Sequence, residues 1–300
     1  MPLSLPQLET WSHQGSITQS SSTYATIRRA LESQMTGYAT KNYRIFLQGS
    51  YGNDTNIYAE SDVDVVIVLD DLAFYDTSRL MADQAAAIQA RLGPATYGYV
   101  HFKDDVLSAL RSSFGNAIRP GSKAIPVPAG SGRRNADVIV AVQHRRYFPP
   151  QGLANGSMYS GGIAFQKSGG AWVENFPQQH SENMTAKHKA TGGRLKPLVR
   201  VYKNMRNRLY EQNLLSAGAA PSYFIEGMLY NVPTRMFTGT LQQQFTSAYD
   251  WLVGLNEGEQ NSLVCANGQY YLLRDQSDTC WPPHHFQALL DATRALWLSS

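Results

Sequence analysis

Ser61-Asp62-Val63-Asp64-Val65-Val66-Ile67-Val68-Leu69 is the stretch that decides the fold. Its tail, Val65 through Leu69, is continuously apolar and β-branched, which predicts a strand covered by protein on both faces. Side chains alternate along a strand, so Asp62 and Asp64 point to one side, about 7 Å apart along the backbone. Two carboxylates at that spacing repel each other, and burying them unpaired is unfavourable. A divalent cation removes the penalty. Mg²⁺ prefers a few carboxylates completed by phosphate oxygens and water, which an exposed strand end can offer.

Upstream, Tyr43–Gln48 reads as a strand stopped by Gly49, with Gln48 a candidate to approach an acceptor nucleotide. Gly49-Ser50 then forms a turn: the glycine lets a backbone come close, and the serine offers a hydroxyl and an N–H to a phosphate. Downstream, Asp137 opens a second apolar strand, Asp137-Val138-Ile139-Val140-Ala141-Val142. If that strand lies beside 61–69, Asp62, Asp64 and Asp137 can hold two metal ions about 4 Å apart. One would activate a hydroxyl and the other would neutralise a leaving pyrophosphate. Gly-Ser or Asp-x-Asp alone is weak; their order, followed by a later strand opening with Asp, is far more specific.

The rest of the chain divides by pattern. Helices are expected at about 17–36, 77–92 and 105–114, the last capped by Asp104. Strands are expected at 123–127 and 136–142, with a hairpin at 163–174. Beyond His180 the periodicity is helical, at 181–190, 194–213, 222–231, 238–255 and 284–298. His144, Arg145 and Arg146 follow the Asp137 strand and could close over an acceptor pocket.

Composition narrows the function. The 300 residues carry 43% hydrophobic and 16% charged residues, as a packed globular protein does. A net charge of +3 is too small for a general nucleic-acid binder, although basic residues cluster in the middle third, where they suit a small polyanion. The 2 cysteines, Cys265 and Cys280, exclude a disulfide framework and a four-cysteine zinc site, and fit a reduced, cytoplasmic chain. The N-terminus shows no secretory pattern, and no apolar run approaches the roughly 18 residues of a membrane span.

At the Gly49-Ser50, Asp62/Asp64 and Asp137 positions the sequence resembles the polymerase-β-type nucleotidyltransferases. It more closely resembles the bacterial relatives of cyclic GMP-AMP synthase, the CD-NTase (cGAS/DncV-like) family. Arg194-Leu195-Lys196-Pro197-Leu198-Val199-Arg200-Val201-Tyr202-Lys203 resembles the family's helix that presents a lysine to the triphosphate. Pro221-Ser222-Tyr223-Phe224-Ile225-Glu226 resembles its segment in which a serine meets phosphates and a ring stacks on the donor base. The likeness covers residues 40–235 and implies roles for Lys203, Ser222 and Tyr223.

It also implies an α+β fold: a polymerase-β-like core, a mixed sheet flanked by helices, packed on a C-terminal helical domain as two lobes around a cleft. Residues 1–175 would form the core with a bracing N-terminal helix, and 176–300 the helical domain. The implied activity is synthesis of a cyclic di- or trinucleotide from ATP, GTP or other triphosphates. Mg²⁺ would serve as two ions, replaceable by Mn²⁺. The product would act on a separate effector in antiphage signalling, with no stable nucleic-acid partner and no membrane. The alternatives are a linear oligonucleotide synthase and a transferase acting on tRNA, a protein or an antibiotic. No Cys/His cluster of zinc-ribbon type is present, so DNA sensing through one is not expected.

Overall fold

The computed structural model describes residues 4–15, 17–58, 62–149, 158–277 and 279–299. In chain order the elements are α1 (Leu5–Ser12), α2 (Thr18–Leu31), β1 (Tyr43–Leu47), α3 (Gly49–Gly52), β2 (Val63–Asp76), α4 (Ala82–Gln89) and α5 (Tyr99–Phe114). There follow β3 (Ile125–Val127), β4 (Ala136–Tyr147), β5 (Tyr159–Gln166), β6 (Trp172–Asn175), α6 (Pro177–Ala190) and α7 (Leu195–Glu211). The chain ends with α8 (Ser222–Asn231), α9 (Leu241–Val253), α10 (Glu257–Ser262) and α11 (Pro283–Ser299). Ser61, with which the deciding stretch begins, lies outside the described residues.

These elements cluster into two compact units. One comprises Thr18–Gln48 and Ser61–Pro177; the other comprises Met1–Ile17, Gly49–Glu60 and Gln178–Ser300. Residues 1–17 and 49–60, which the sequence reading groups with the sheet, cluster instead with the helices. The cause is local: α1 packs against α7 and α9, and basic side chains of α7 hold residues 50–55.

In the first unit the sheet runs β1-β2-β4-β5-β6, with β3 pairing the start of β4. Only β2 and β4 are parallel; the other pairings are antiparallel. The expected apolar tail is the heart of the sheet, with Val65, Val66, Ile67, Val68 and Leu69 all at 0% exposure. The helices α2 and α5 pack on each other and on this strand system. The hairpin joining β5 to β6 is closed by Lys167 N–H to Ala171 O at 2.9 Å.

Three local readings change. β2 does not stop at Leu69; after an irregularity between Leu69 and Ala73 it continues to Asp76, paired with β4. The helix expected from Thr77 therefore shrinks to α4, none of whose residues is buried. The next helix starts at Tyr99 behind Gly98, not at Asp104, because its buried stripe is Tyr99, Phe102, Val106, Ala109 and Leu110.

The second unit is helical. The face of α7 formed by Leu195, Leu198, Val199, Tyr202, Met205 and Leu209 is buried against α8, α9 and α11. Trp281, fully buried, closes this core with Nε1–H donating to Ala219 O at 2.7 Å. Cys265 and Cys280 are buried and unpaired with each other, and burial pushes the Cys265 thiol up to about 12. Its thiolate is therefore scarce at neutral pH, which suits packing rather than chemistry. Among the described residues no helix is long and apolar enough to cross a membrane.

Candidate active site

The parallel pairing of β2 with β4 sets Asp64 directly opposite Asp137, with Val63 opposite Ala136 and Val65 opposite Val138. Opposed residues on adjacent strands share a face, about 4.8 Å apart. Asp62 lies two residues before Asp64 and is exposed, whereas Asp64 and Asp137 are half-buried. Burial pushes the Asp137 carboxyl above its ordinary range, and the charge on Asp62 pushes it further. The three acids thus belong to one electrostatic neighbourhood. A set of hard oxygen donors strained by burial and like charge is what Mg²⁺ or Mn²⁺ accepts. Gln48 continues the same row: its N–H donates to Asp64 O at 2.9 Å. Its side-chain Oε1 is buried with no hydrogen-bond partner.

A second acidic group in this unit has a different character. Ligand atoms of Asp76, His144 and Glu174 lie within 4.8 Å of one another. Arg146 already supplies the cation: Nε donates to Asp76 at 2.9 Å and Nη2 to Glu174 at 2.6 Å. Its guanidinium also lies 4.8 Å from the Phe176 ring centre. Burial lowers the His144 pKa, favouring the neutral ring beside that guanidinium. The group ties β2, β4 and β6 together at the end of the sheet remote in sequence from Asp64. Counting by twos from Asp137 along β4 reaches Arg145, so His144 and Arg146 face the opposite side from Asp137 and its neighbour Asp64. Both His144 and Arg146 are engaged with the Asp76 and Glu174 acid group, which gives no support to the expectation that they close over an acceptor pocket. Arg145 is on the Asp137 face, over the Tyr159 ring at 5.0 Å.

In the helical unit, all three basic side chains of the α7 stripe reach the segment 50–55. Lys196 Nζ donates to Asp54 Oδ2 at 3.0 Å. Arg200 donates to Ser12 O at 2.5 Å and to Asp54 O at 2.7 Å. Lys203 Nζ donates to Ser50 Oγ and to Thr55 O, both at 2.8 Å. Spacing of i, i+4 and i+7 puts the three on one helix face. The first two are spent on tethering: Lys196 holds the loop, and Arg200 ties it to the end of α1. Lys203, at 0% exposure, both tethers the loop and delivers a buried positive charge to the Ser50 hydroxyl.

Gly49 has φ +66°, the left-handed region where a Cβ is strained. Gly49→Ala is expected to destabilise the protein by about 1 kcal/mol, visible as a fall of roughly 2–4 °C in melting temperature. An unchanged melting temperature would show that the turn relaxes freely.

Ser222 and Tyr223 open α8. The Ser222 hydroxyl accepts from Arg206 Nη1 at 3.1 Å. Tyr223 stacks on His180, with ring centres 4.9 Å apart and planes at 28°. Its hydroxyl accepts from Asn267 Nδ2 at 2.9 Å, and burial pushes the phenol far above its ordinary range. One ring face is therefore committed to His180, and only the other could receive a base.

Reading the sequence missed Glu226, one turn further along α8. It is 2% exposed and accepts from Asn53 Nδ2 at 2.9 Å, bonds His180 Nε2 at 2.6 Å and accepts from the Thr55 hydroxyl. The available signal was a lone acid inside the apolar run Phe224-Ile225-Glu226-Gly227-Met228-Leu229, since an unpaired charge is rarely buried.

Residues 182–298 match the family model described as the cGAS/DncV-like nucleotidyltransferase C-terminal helical domain. The chain is 37% identical over 272 residues to the cyclic UMP-AMP synthase of Rhodothermus marinus, covering 90% of this chain and 89% of that protein. The solved structure of the Rhodothermus marinus c-UMP-AMP synthase with Apcpp and Upnpp superposes with a TM-score of 0.87 at 35% identity, over 99% of this chain and 97% of that one. The Elizabethkingia meningoseptica cyclic dinucleotide synthase, solved with GTP and Apcpp, gives 0.77 at 27% identity, over 99% and 98% of the two chains.

Proposed function

Since the chain belongs to the bacterial cGAS/DncV-like nucleotidyltransferase family, in which its relatives include cyclic nucleotide synthases, we propose that it joins nucleoside triphosphates into a cyclic di- or trinucleotide, releasing pyrophosphate. The observation that supports this reading most is the pairing of Asp64 with Asp137 across parallel strands, with Asp62 acting on the same carboxyl.

In this reading Asp62, Asp64 and Asp137 hold two Mg²⁺ ions, with Mn²⁺ able to substitute. When bound, these ions lower the pKa of the attacking hydroxyl and stabilise charge on the leaving pyrophosphate. The chain's own groups do the positioning. Ser50 and Lys203 receive phosphate oxygens, with the Lys203 charge held beside the Ser50 hydroxyl in a buried setting where electrostatic attraction is strong. Ser222 adds a hydroxyl, and the face of Tyr223 away from His180 stacks on a base. Gln48 offers its orphaned Oε1 to the acceptor nucleotide.

ATP is one proposed substrate, with GTP or UTP as the second. The product acts on a separate effector protein in antiphage signalling inside the cytoplasm, without stable nucleic-acid or membrane attachment.

The test is incubation of purified protein with Mg²⁺ and an equimolar mixture of the four triphosphates. The expected result is pyrophosphate release and a phosphatase-resistant product whose mass identifies its bases. Pyrophosphate with a phosphatase-labile product would favour a linear oligonucleotide synthase. Product only on addition of tRNA, a protein or an antibiotic would favour transfer to that acceptor.

A further inference from the structure

Beneath the residues assigned to the nucleotide lies a buried carboxylate with no part in the chemistry. We propose that Glu226 is a positioning residue that locks the phosphate-binding segment and the stacking tyrosine into one pre-organised nucleotide seat. The inference rests on the roles proposed above for Ser50, Lys203 and Tyr223.

Glu226 joins three elements of the helical unit. From α8 it reaches Asn53 and Thr55 in the segment after α3, and His180 in α6. Burial opposes its charge. The hydrogen bond and charge of His180, the charge of Lys203 and the Thr55 hydrogen bond outweigh burial and hold the carboxyl below its ordinary range. The group is therefore an anion at neutral pH.

Two chains of contacts leave it. Through Thr55, whose hydroxyl bonds Glu226 and whose carbonyl accepts from Lys203, the carboxylate fixes the backbone that holds the lysine ammonium. Lys203 in turn bonds Ser50. Through His180, whose ring stacks on Tyr223, it fixes the face on which that tyrosine rests. Thus one side chain determines both where the phosphate-binding groups sit and how the stacking ring is oriented. Pre-organisation of this sort lowers the ordering penalty of binding, and displacement of about 1 Å is enough to forfeit much of it.

A buried anion retained for stability alone would behave differently. Its loss would lower the melting temperature while leaving ligand affinity in the folded fraction intact. Seat positioning predicts weaker binding in fully folded protein.

The experiment compares wild type, Glu226→Gln and Thr55→Val by calorimetric titration with ATP and Mg²⁺, by KM and kcat for pyrophosphate release, and by thermal melting. Glu226→Gln keeps the shape but not the charge. Thr55→Val removes the hydroxyl link but keeps the carbonyl that Lys203 uses. The expected result is an increase of about tenfold or more in Kd and KM for both variants, with kcat within about threefold of wild type. Unchanged Kd in folded Glu226→Gln overturns the inference. If that variant does not fold, unchanged Kd in Thr55→Val overturns it. The parent reading fails separately: wild type that binds ATP yet releases no pyrophosphate from the mixture of four triphosphates refutes synthesis, while the titrations still decide the role of Glu226.

Discussion

Asp64→Asn lowers pyrophosphate release by about 10³-fold or more, while the protein stays folded. The substitution preserves shape and keeps a polar group at a half-buried strand position, so the sheet tolerates it. What it removes is a charged oxygen donor opposite Asp137. Metal-assisted stabilisation of charge in the transition state is worth several kcal/mol, and about 4 kcal/mol corresponds to a factor of roughly 10³ in rate. ATP affinity without divalent ions should change little, because the phosphate-facing roles proposed for Ser50 and Lys203 do not use the Asp64 carboxylate. The measurement is initial-rate pyrophosphate release with a melting curve on the same sample. Activity within tenfold of wild type would remove the carboxylates from the chemistry.

Asp137→Asn is expected to move activity and stability in opposite directions. Burial, then the charge of Asp62, raises the Asp137 carboxyl above its unfolded value. A raised carboxyl favours the fold while protonated. That contribution is complete below the ordinary carboxylate pKa and is lost as pH climbs through the raised value. At neutral pH without divalent ions, the wild type therefore carries an unfavourable charge that Asn lacks. The variant should melt slightly higher in chelator, by about a degree or two, the group being partly exposed and screened by water. Adding Mn²⁺ should raise the melting temperature of the wild type more than that of the variant, because a ligand that binds only the folded state stabilises it. Synthesis should fall by about 10²-fold or more. Scanning fluorimetry with EDTA and then Mn²⁺ decides the matter. A lower melting temperature in EDTA, together with equal Mn²⁺ shifts, would mean that Asp137 is not a strained metal ligand.

Some expectations that fell short concern tertiary context rather than pattern. The apolar run Val65–Leu69 was legible as a doubly covered strand, but its continuation to Asp76 was not. Residues 73–76, beyond the irregularity, pair with Gln143–Arg146, and that pairing with a distant strand carries the extension. The opposite facing of His144 and Arg146 could have been found by counting from Asp137, since strand parity is a property of the sequence. That Arg146 occupies the Asp76–Glu174 acid pair could not, because those acids arrive from two other strands.

Local stereochemistry is enough to predict that Asp62 and Asp64 point to one side, although β2 begins at Val63 and leaves Asp62 just ahead of it, that Gly49 suits a strained turn, and that Lys196, Arg200 and Lys203 form one stripe. Each follows from the repeat of two in a strand, the missing Cβ of glycine, or the 3.6-residue turn of a helix. Only the tertiary structure decided that Asp137 stands beside Asp64 rather than one residue out of register, where it would face the other way. The same holds for Glu226 as the anion beneath Lys203 and Tyr223, because its partners lie 46 to 173 residues away along the chain. Contacts at such separations depend on how whole elements pack, and no local window of sequence contains that information.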